Sequence, residues 1–444
     1  MQPTKGLMFP WRVWSRRTIA VIILLAACVT AFCGAALLPY FLAAWSATVP
    51  LLALSAVCAF AVIVWGGAWL AALIWHAEKR TRFANTVAAI LALAFVSFLY
   101  FLVLRPSHLQ LADTVRFNNT QYWQLATGLS IAYSEYDPPA GVPVKPEPVV
   151  FLRGGGMGVG PWDHLFFSRF AAYGFRVYLF DQAGSGLSDF LPRVRDYTAR
   201  RAVEDVEAVR QQIGTDRMIL IGHSFGSTVA ANYMAKYPNH VAKVVFYSPG
   251  PIWGYAALKE DDSRTDGGTS GLPSLRLLAA MSLFDRNPDA SEALLPQLEA
   301  EELVVPVIAP VPPSFVCKGD ASKLPELLGT LATSGVNPRI NPYVLQSISP
   351  SWSKPDGDPH KALQGNRTPA MILFGECDYL PWSVVVDYRK TFSNATSYYV
   401  PRAGHFIQFE QPELMRRIIV AFLLDQPQPV PAYSGEMDPR NANP

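Results

Sequence analysis

From Thr18 to Ala77 the chain runs for 60 residues without a single Asp, Glu, Lys or Arg. A second charge-free stretch extends from Phe83 to Leu104. A water-soluble domain alternates apolar and polar positions, and these tracts do not. The hydrocarbon core of a bilayer is about 30 Å thick and takes about 20 apolar helical residues to cross. The tracts therefore predict three membrane spans, near residues 18–39, 50–75 and 84–104. A cleaved signal peptide competes only for the first span. The two that follow directly would keep the rest of the chain on the membrane.

Basic residues orient the spans. Lys5, Arg12, Arg16 and Arg17 precede the first, with no acid among residues 1–17. The loop around Tyr40 to Pro50 is uncharged, and the next loop carries Lys79, Arg80 and Arg82 against Glu78. Lys and Arg accumulate on the cytoplasmic side. The expectation is an integral membrane protein with a cytoplasmic N-terminus and everything after Arg105 on the extracytoplasmic side.

Formal net charge is +2, so composition makes no case for a nucleic-acid partner. Of the five cysteines, Cys28, Cys33 and Cys58 fall in the predicted spans, where apolar burial accounts for them. Cys317 and Cys377 remain for the exported part. An oxidising compartment permits a disulfide between them, and the sequence leaves that pairing open. No Cys/His cluster has zinc-ligand spacing.

The sequence divides into a membrane region (1–105), an α/β core (106–250 and 367–425), an insertion (251–366) and a Pro-rich tail (426–444). In the core, short apolar runs such as "PVVFLRG", "FRVYLFD" and "RMILIG" alternate with helical patterns, which predicts a mainly parallel sheet covered by helices on both faces. "YWQLATGLSIAYSEY" reads as a hairpin turning at Thr127-Gly128. The rhythm breaks after Pro251 and resumes at "AMILFGECD". The insertion reads as an irregular, partly helical cap, and its prolines argue that "VVPVIAPVPPSF" is not a regular helix.

At Gly222-His223-Ser224-Phe225-Gly226 a strand pattern runs straight into a small-residue helix pattern. Glycines two before and two after a serine allow a sharp strand-to-helix turn that holds the hydroxyl out as a nucleophile. Such a serine needs a base. Among seven histidines, His405 is the choice, because it follows the last strand in a loop at the same sheet edge as Ser224. The base needs an orienting acid. Asp378, after the penultimate strand, gives the chain order Ser…Asp…His, with Glu376 as its competitor. Oxyanion donors are expected from the N–H of Phe225 and from the glycine-rich loop "RGGGMGVGPW", at Gly155. Asp181, in "FDQAGSGLSD", reads as an acid that holds a turn. Gly184 and Gly186 lack the third glycine of a dinucleotide site.

Taken together, "FLRGGGMG", "FDQAGSGLSD", "GHSFGS", "FGECD" and "AGHFIQFEQPE" resemble the α/β-hydrolase superfamily, in its prolyl iminopeptidase-like branch, over roughly residues 120–425. The resemblance implies a Ser-His-Asp hydrolase with a cap after "VVFYSP" and no cofactor or metal. It departs at Arg153-Gly154-Gly155-Gly156-Met157, where prolyl iminopeptidases carry His-Gly-Gly-Pro-Gly. The expected function is a membrane-anchored serine hydrolase acting on a small-molecule acyl substrate, lipid and peptide included. Ester cleavage comes first and aminopeptidase activity second. A catalytically silent, membrane-tethered binding protein is the alternative from another class.

Overall fold

The computed structural model describes residues 11–107, 114, 116–253, 272–308, 315–317, 339–347 and 357–441. The chain forms two compact units, Met1–Ser107 with Ser274–Pro296, and His108–Pro273 with Gln297–Pro444.

The first unit is helical. Helices α1 (Trp11–Leu42), α2 (Val49–Ile74) and α3 (Arg80–Leu99) are joined by short connections, and α3 continues through a wide turn at Tyr100–Leu104. Three stretches, Arg16–Leu42, Val49–Ile74 and Arg80–Leu104, are long and apolar enough to cross a membrane. Small residues let α1 and α2 approach closely, as a Cβ on Gly67 would collide with Ala27. The rings of Phe60 on α2 and Phe95 on α3 stack 4.2 Å apart. The unit also takes in α7 (Leu275–Phe284) and α8 (Pro288–Leu294), which lie far along the chain. Arg276 donates to the main-chain oxygens of Val103 (2.7 Å) and Leu104 (3.1 Å), acceptors that a helix end leaves open. Asn287 donates in the same way to Ala43 O, 2.9 Å away.

The second unit is built on an eight-stranded sheet in the order β1-β2-β4-β3-β5-β6-β7-β8. Strands β1 (Thr120–Gln124) and β2 (Ser130–Tyr136) form the hairpin, with Gly128 at φ 86° in its turn. Strand β2 pairs antiparallel with β4 (Val177–Phe180). From there β3 (Val149–Leu152), β5 (Met218–His223), β6 (Val241–Tyr247), β7 (Ala370–Gly375) and β8 (Ala395–Val400) run parallel. Every residue of β3, β4, β5 and β7 is buried. This is why they read as unbroken apolar runs, since helices cover both faces of a parallel sheet.

Helix α4 (Pro161–Phe167) follows β3, and Phe167 stacks on Phe151 of that strand at 4.1 Å. Truncating a ring buried like Phe151 costs about 3–5 kcal/mol. Helix α5 (Ala199–Ile213) is capped by Thr198, which accepts from Arg201 N, and ended by Gly214 at φ 73°. Helix α6 (Phe225–Lys236) begins directly at the end of β5. Helix α9 (Gln297–Ile308) takes in the first five residues of "VVPVIAPVPPSF", Val304 to Ile308. Pro306 lies in the last turn, where it removes one intrahelical bond rather than breaking a long ladder. Beyond it, 309–314 lies outside the described residues. Short helices α10 (Pro342–Ser347) and α11 (Pro359–Leu363) precede β7. Helices α12 (Trp382–Thr391), α13 (Ile407–Glu410) and α14 (Pro412–Leu423) complete the unit.

The Pro-rich tail lies on the surface and is held there. Tyr433 N donates to Ser397 O at 2.8 Å, and Arg389 donates to Ser434 O and Gly435 O.

Candidate active site

Strand β3 lies between β4 and β5, so the connections after β3 leave for one side and those after β4 return to the other. Ligands of open α/β sheets bind outside the carboxyl ends of the strands at such a reversal. Here the carboxyl ends of β3 and β5 present the glycine loop and the serine turn side by side.

Ser224 stands at φ 51° and ψ −122°, a conformation that a residue with a side chain rarely adopts. Its backbone is held on three sides. Ser224 N donates to Tyr247 O at 3.2 Å, and Ser224 O accepts from Ser227 N and Gly250 N, each at 2.9 Å. A Cβ on Gly222 would stand 2.7 Å from Ser227 Cα, and one on Gly226 would collide with Leu152 O. Both glycines are thus required for the strand to meet the helix. At the first residue of α6, the N–H of Phe225 has no intrahelical acceptor.

The loop after β3 presses on this turn. A Cβ on Gly154 would lie 2.6 Å from Ser224 Cβ. Gly155 and Gly156 follow at φ 68° and 65°, the left-handed region that glycine enters without strain. Arg153 forms an ion pair with the buried carboxylate of Asp163 on α4, and Gln182 donates to Arg153 O. Asp181 binds both glycine-rich segments, accepting from Val159 N (2.6 Å) and Leu187 N (2.8 Å). Burial pushes its carboxyl up to about 6 against the pull of those N–H groups.

The loops after β7 and β8 bring Asp378 and His405 into contact. His405 Nδ1 is 3.0 Å from Asp378 Oδ1, and both side chains are almost fully buried. The carboxylate accepts, so Nδ1 carries the proton and Nε2 keeps a lone pair. Burial pushes Asp378 up, but the charge and hydrogen bond of His405 and the Leu380 N–H hold it below the usual range. Glu376 is turned elsewhere and accepts from Arg402 N at 2.7 Å.

Further contacts support the histidine loop. His223 Nε2 donates to His405 O at 3.0 Å, tying the serine turn to the histidine loop. Burial, together with the nearby His405 and Arg153, keeps His223 well below its ordinary range and therefore neutral. Phe315 O accepts from His405 N at 2.8 Å. Cys317 is bonded to Cys377, and Glu410 accepts from both Cys317 N (2.9 Å) and Gly404 N (2.6 Å). Only the disulfide had a sequence signal, in the two cysteines outside the predicted spans. Three further histidines have partners of their own: His164 pairs with Tyr136, His240 with Glu207, and His360 with Asp358 and Asp387. No group of three metal-ligating side chains occurs among the described residues.

This strand order, with a serine turn after β5 and an acid and a histidine after β7 and β8, defines an α/β-hydrolase fold. The family model for the alpha/beta hydrolase fold matches residues 147–267. A 2-hydroxy-6-oxo-6-phenylhexa-2,4-dienoate hydrolase of Burkholderia cepacia is 26% identical over 286 residues, covering 62% of this chain and 87% of that protein. A proline iminopeptidase of Neisseria gonorrhoeae is 34% identical over 125 residues, 28% of this chain and 38% of that protein. A (lyso)-N-acylphosphatidylethanolamine lipase of Bos taurus is 33% identical over 134 residues, 28% and 36%. The chain thus spans most of the first relative and little more than a third of the other two. It is a hydrolase of the α/β-hydrolase superfamily, carrying three N-terminal helices of membrane-spanning length and apolarity.

Proposed function

We propose that the protein is a membrane-anchored serine hydrolase that cleaves a carboxylic ester through an acyl-enzyme, with its catalytic unit on the extracytoplasmic side. The observation that carries this reading is the buried 3.0 Å contact of Asp378 with His405 Nδ1, which leaves Nε2 as a base in a loop tied to the Ser224 turn. In the mechanism, Ser224 attacks the carbonyl carbon while His405 Nε2 takes its proton. Asp378 fixes the tautomer and stabilises the imidazolium. The main-chain N–H groups of Phe225 and Gly155 hold the oxyanion. His405 then returns the proton to the leaving alcohol. Water, deprotonated by the same nitrogen, releases the acid and restores Ser224.

The Cys317–Cys377 disulfide supports the extracytoplasmic placement, since such bonds persist in oxidising compartments. Aminopeptidase activity is the second reading, favoured by the proline iminopeptidase relatives. It needs a carboxylate for the substrate ammonium. Of the acidic run at Glu299, Glu301 and Glu302, Glu301 is buried and paired with Arg339. The ester reading therefore stays first.

The test is fluorophosphonate labelling and ester turnover of the full chain beside Ser224→Ala. Labelling of the unaltered protein, lost in the variant with its fold intact, is the expected outcome. Unchanged labelling and turnover in Ser224→Ala would remove the serine mechanism.

A further inference from the structure

Within the first unit, α1, α2 and α3 with their inserted partners α7 and α8 enclose a half-open cavity of about 510 Å³. Phe32 and Ala36 of α1, Ala53 of α2, Phe98 of α3, and Leu278 and Ala279 of α7 are among its walls. The space exists because alanines stand where larger side chains would close it.

Two properties of the lining select an occupant. The first is polarity. The lining is apolar save for Ser282, whose hydroxyl already donates to Ala279 O at 2.7 Å. A buried water needs two to four polar partners, and apolar cavities of about 150 Å³ stay dry and take up hydrocarbon instead. The second is location. The cavity lies among the helices long and apolar enough to cross a membrane, where the surrounding solvent would be lipid tails.

The rim adds a cation. Arg286, exposed at the turn between α7 and α8, lies 4.7 Å above the Tyr40 ring and 5.3 Å above that of Phe41. Tyr40 and Phe41 directly follow Pro39, which also lines the cavity. Arginine and aromatic rings at the end of a membrane span suit the headgroup layer, where a guanidinium meets lipid phosphate.

We infer that this cavity is a phospholipid site, in which one acyl chain lies among α1, α2, α3 and α7 while the headgroup phosphate faces Arg286. The inference rests on the membrane-anchoring part of the proposed function and not on the esterase chemistry. The docking of α7 is independent of the lipid, since Arg276 already closes the end of α3 and Asn287 the end of α1. The bound chain fills the volume that these contacts leave open.

The experiment uses the full chain in nanodiscs of phosphatidylethanolamine and phosphatidylglycerol, doped with a phosphatidylglycerol that carries a diazirine near the end of one acyl chain. After irradiation, adducts are mapped by mass spectrometry. Adducts are expected to concentrate on cavity residues of α1, α2 and α7, and to fall several-fold in Ala53→Phe and in Ala279→Leu, each of which fills the cavity from a different helix. Resistance of the protein to carbonate extraction tests the membrane reading separately. Circular dichroism and the melting temperature report folding of both variants. Adducts spread evenly over outward residues such as Val29, Val62 and Leu93, unchanged in both variants of a membrane-integrated protein, would overturn the site. Adducts from a diazirine fatty acid but not from the phospholipid would overturn it equally.

Discussion

The guanidinium of Arg440, four residues from the C-terminus, donates to the main-chain oxygen of Asp378 at 2.9 Å and to that of Leu380 at 2.8 Å. Its Nε and Nη2 donate to the carboxylate of Asp438, and the ion pair is buried. The end of the tail thus fixes the loop whose carboxylate meets His405. Arg440→Met keeps the apolar stem and removes five donors. Losing hydrogen bonds from a charged group costs about 1.5–3 kcal/mol each where they are buried. The expected outcome is a lower melting temperature and a reduced kcat at unchanged KM, because Arg440 positions Asp378 and does not reach the substrate. Equal kcat in a destabilised variant would limit its role to stability.

The acid itself is tested by a pair of amides. Asp378→Asn keeps the shape but favours the wrong imidazole tautomer, and a loss of about 10⁴ in kcat is expected. Glu376→Gln loses only charge toward Arg402 N and should leave kcat nearly unchanged. The reverse ranking, measured as ester turnover, would reassign the acid.

Ser224 and His405 act as one unit in the proposed mechanism. Either alanine variant is expected to lose about 10⁶ in kcat, and the double variant should be scarcely worse than either. Multiplied losses in single-turnover assays would show that the two residues act independently.

His164 makes stability depend on pH. Burial lowers it to about 4 against the opposing charge of Asp163. In the unfolded chain it titrates near 6.5. The folded state resists the proton, so its contribution is fully present above about pH 6.5 and is lost as pH falls toward 4. The span corresponds to about 3 kcal/mol. Denaturant melts between about pH 7 and pH 4.5 should show this loss, and His164→Gln should flatten it. An unchanged slope in the variant would place the effect on other groups.

The disulfide closes a loop with a sequence separation of 60 residues. By chain entropy it stabilises the fold by about 4 kcal/mol. It also joins the neighbour of Asp378 to the segment whose Phe315 accepts from His405 N. Reduction, or Cys317→Ser, is expected to lower both melting temperature and kcat. A reduced protein with full turnover would show that hydrogen bonds alone hold the histidine loop.

Much of the fold was legible because a buried parallel strand must be apolar throughout. "PVVFLRG" and "AMILFG" could hardly be placed elsewhere. The serine turn was legible because only glycine fits at 222 and 226, as their close contacts with Ser227 and Leu152 demonstrate. The choice between Asp378 and Glu376 was not decidable from order alone, as both follow β7 within three residues and differ only in the direction of the side chain. Arg440 was hidden in a tail without periodicity, where one long side chain makes the contact. The union of α7 and α8 with the N-terminal helices was equally hidden, since Arg276 and Asn287 meet main-chain oxygens that carry no sequence signature.

The covalent link between Cys317 and Cys377 also changes what a protease can do to this molecule. A single cut anywhere between those two residues leaves both pieces in one covalent body. Under non-reducing conditions such a nicked chain would keep the mobility of a full-length species, and only a thiol would release the fragments. Processing within that stretch could therefore refashion the insertion without parting the serine-bearing half of the protein from the half that carries the acid and the base.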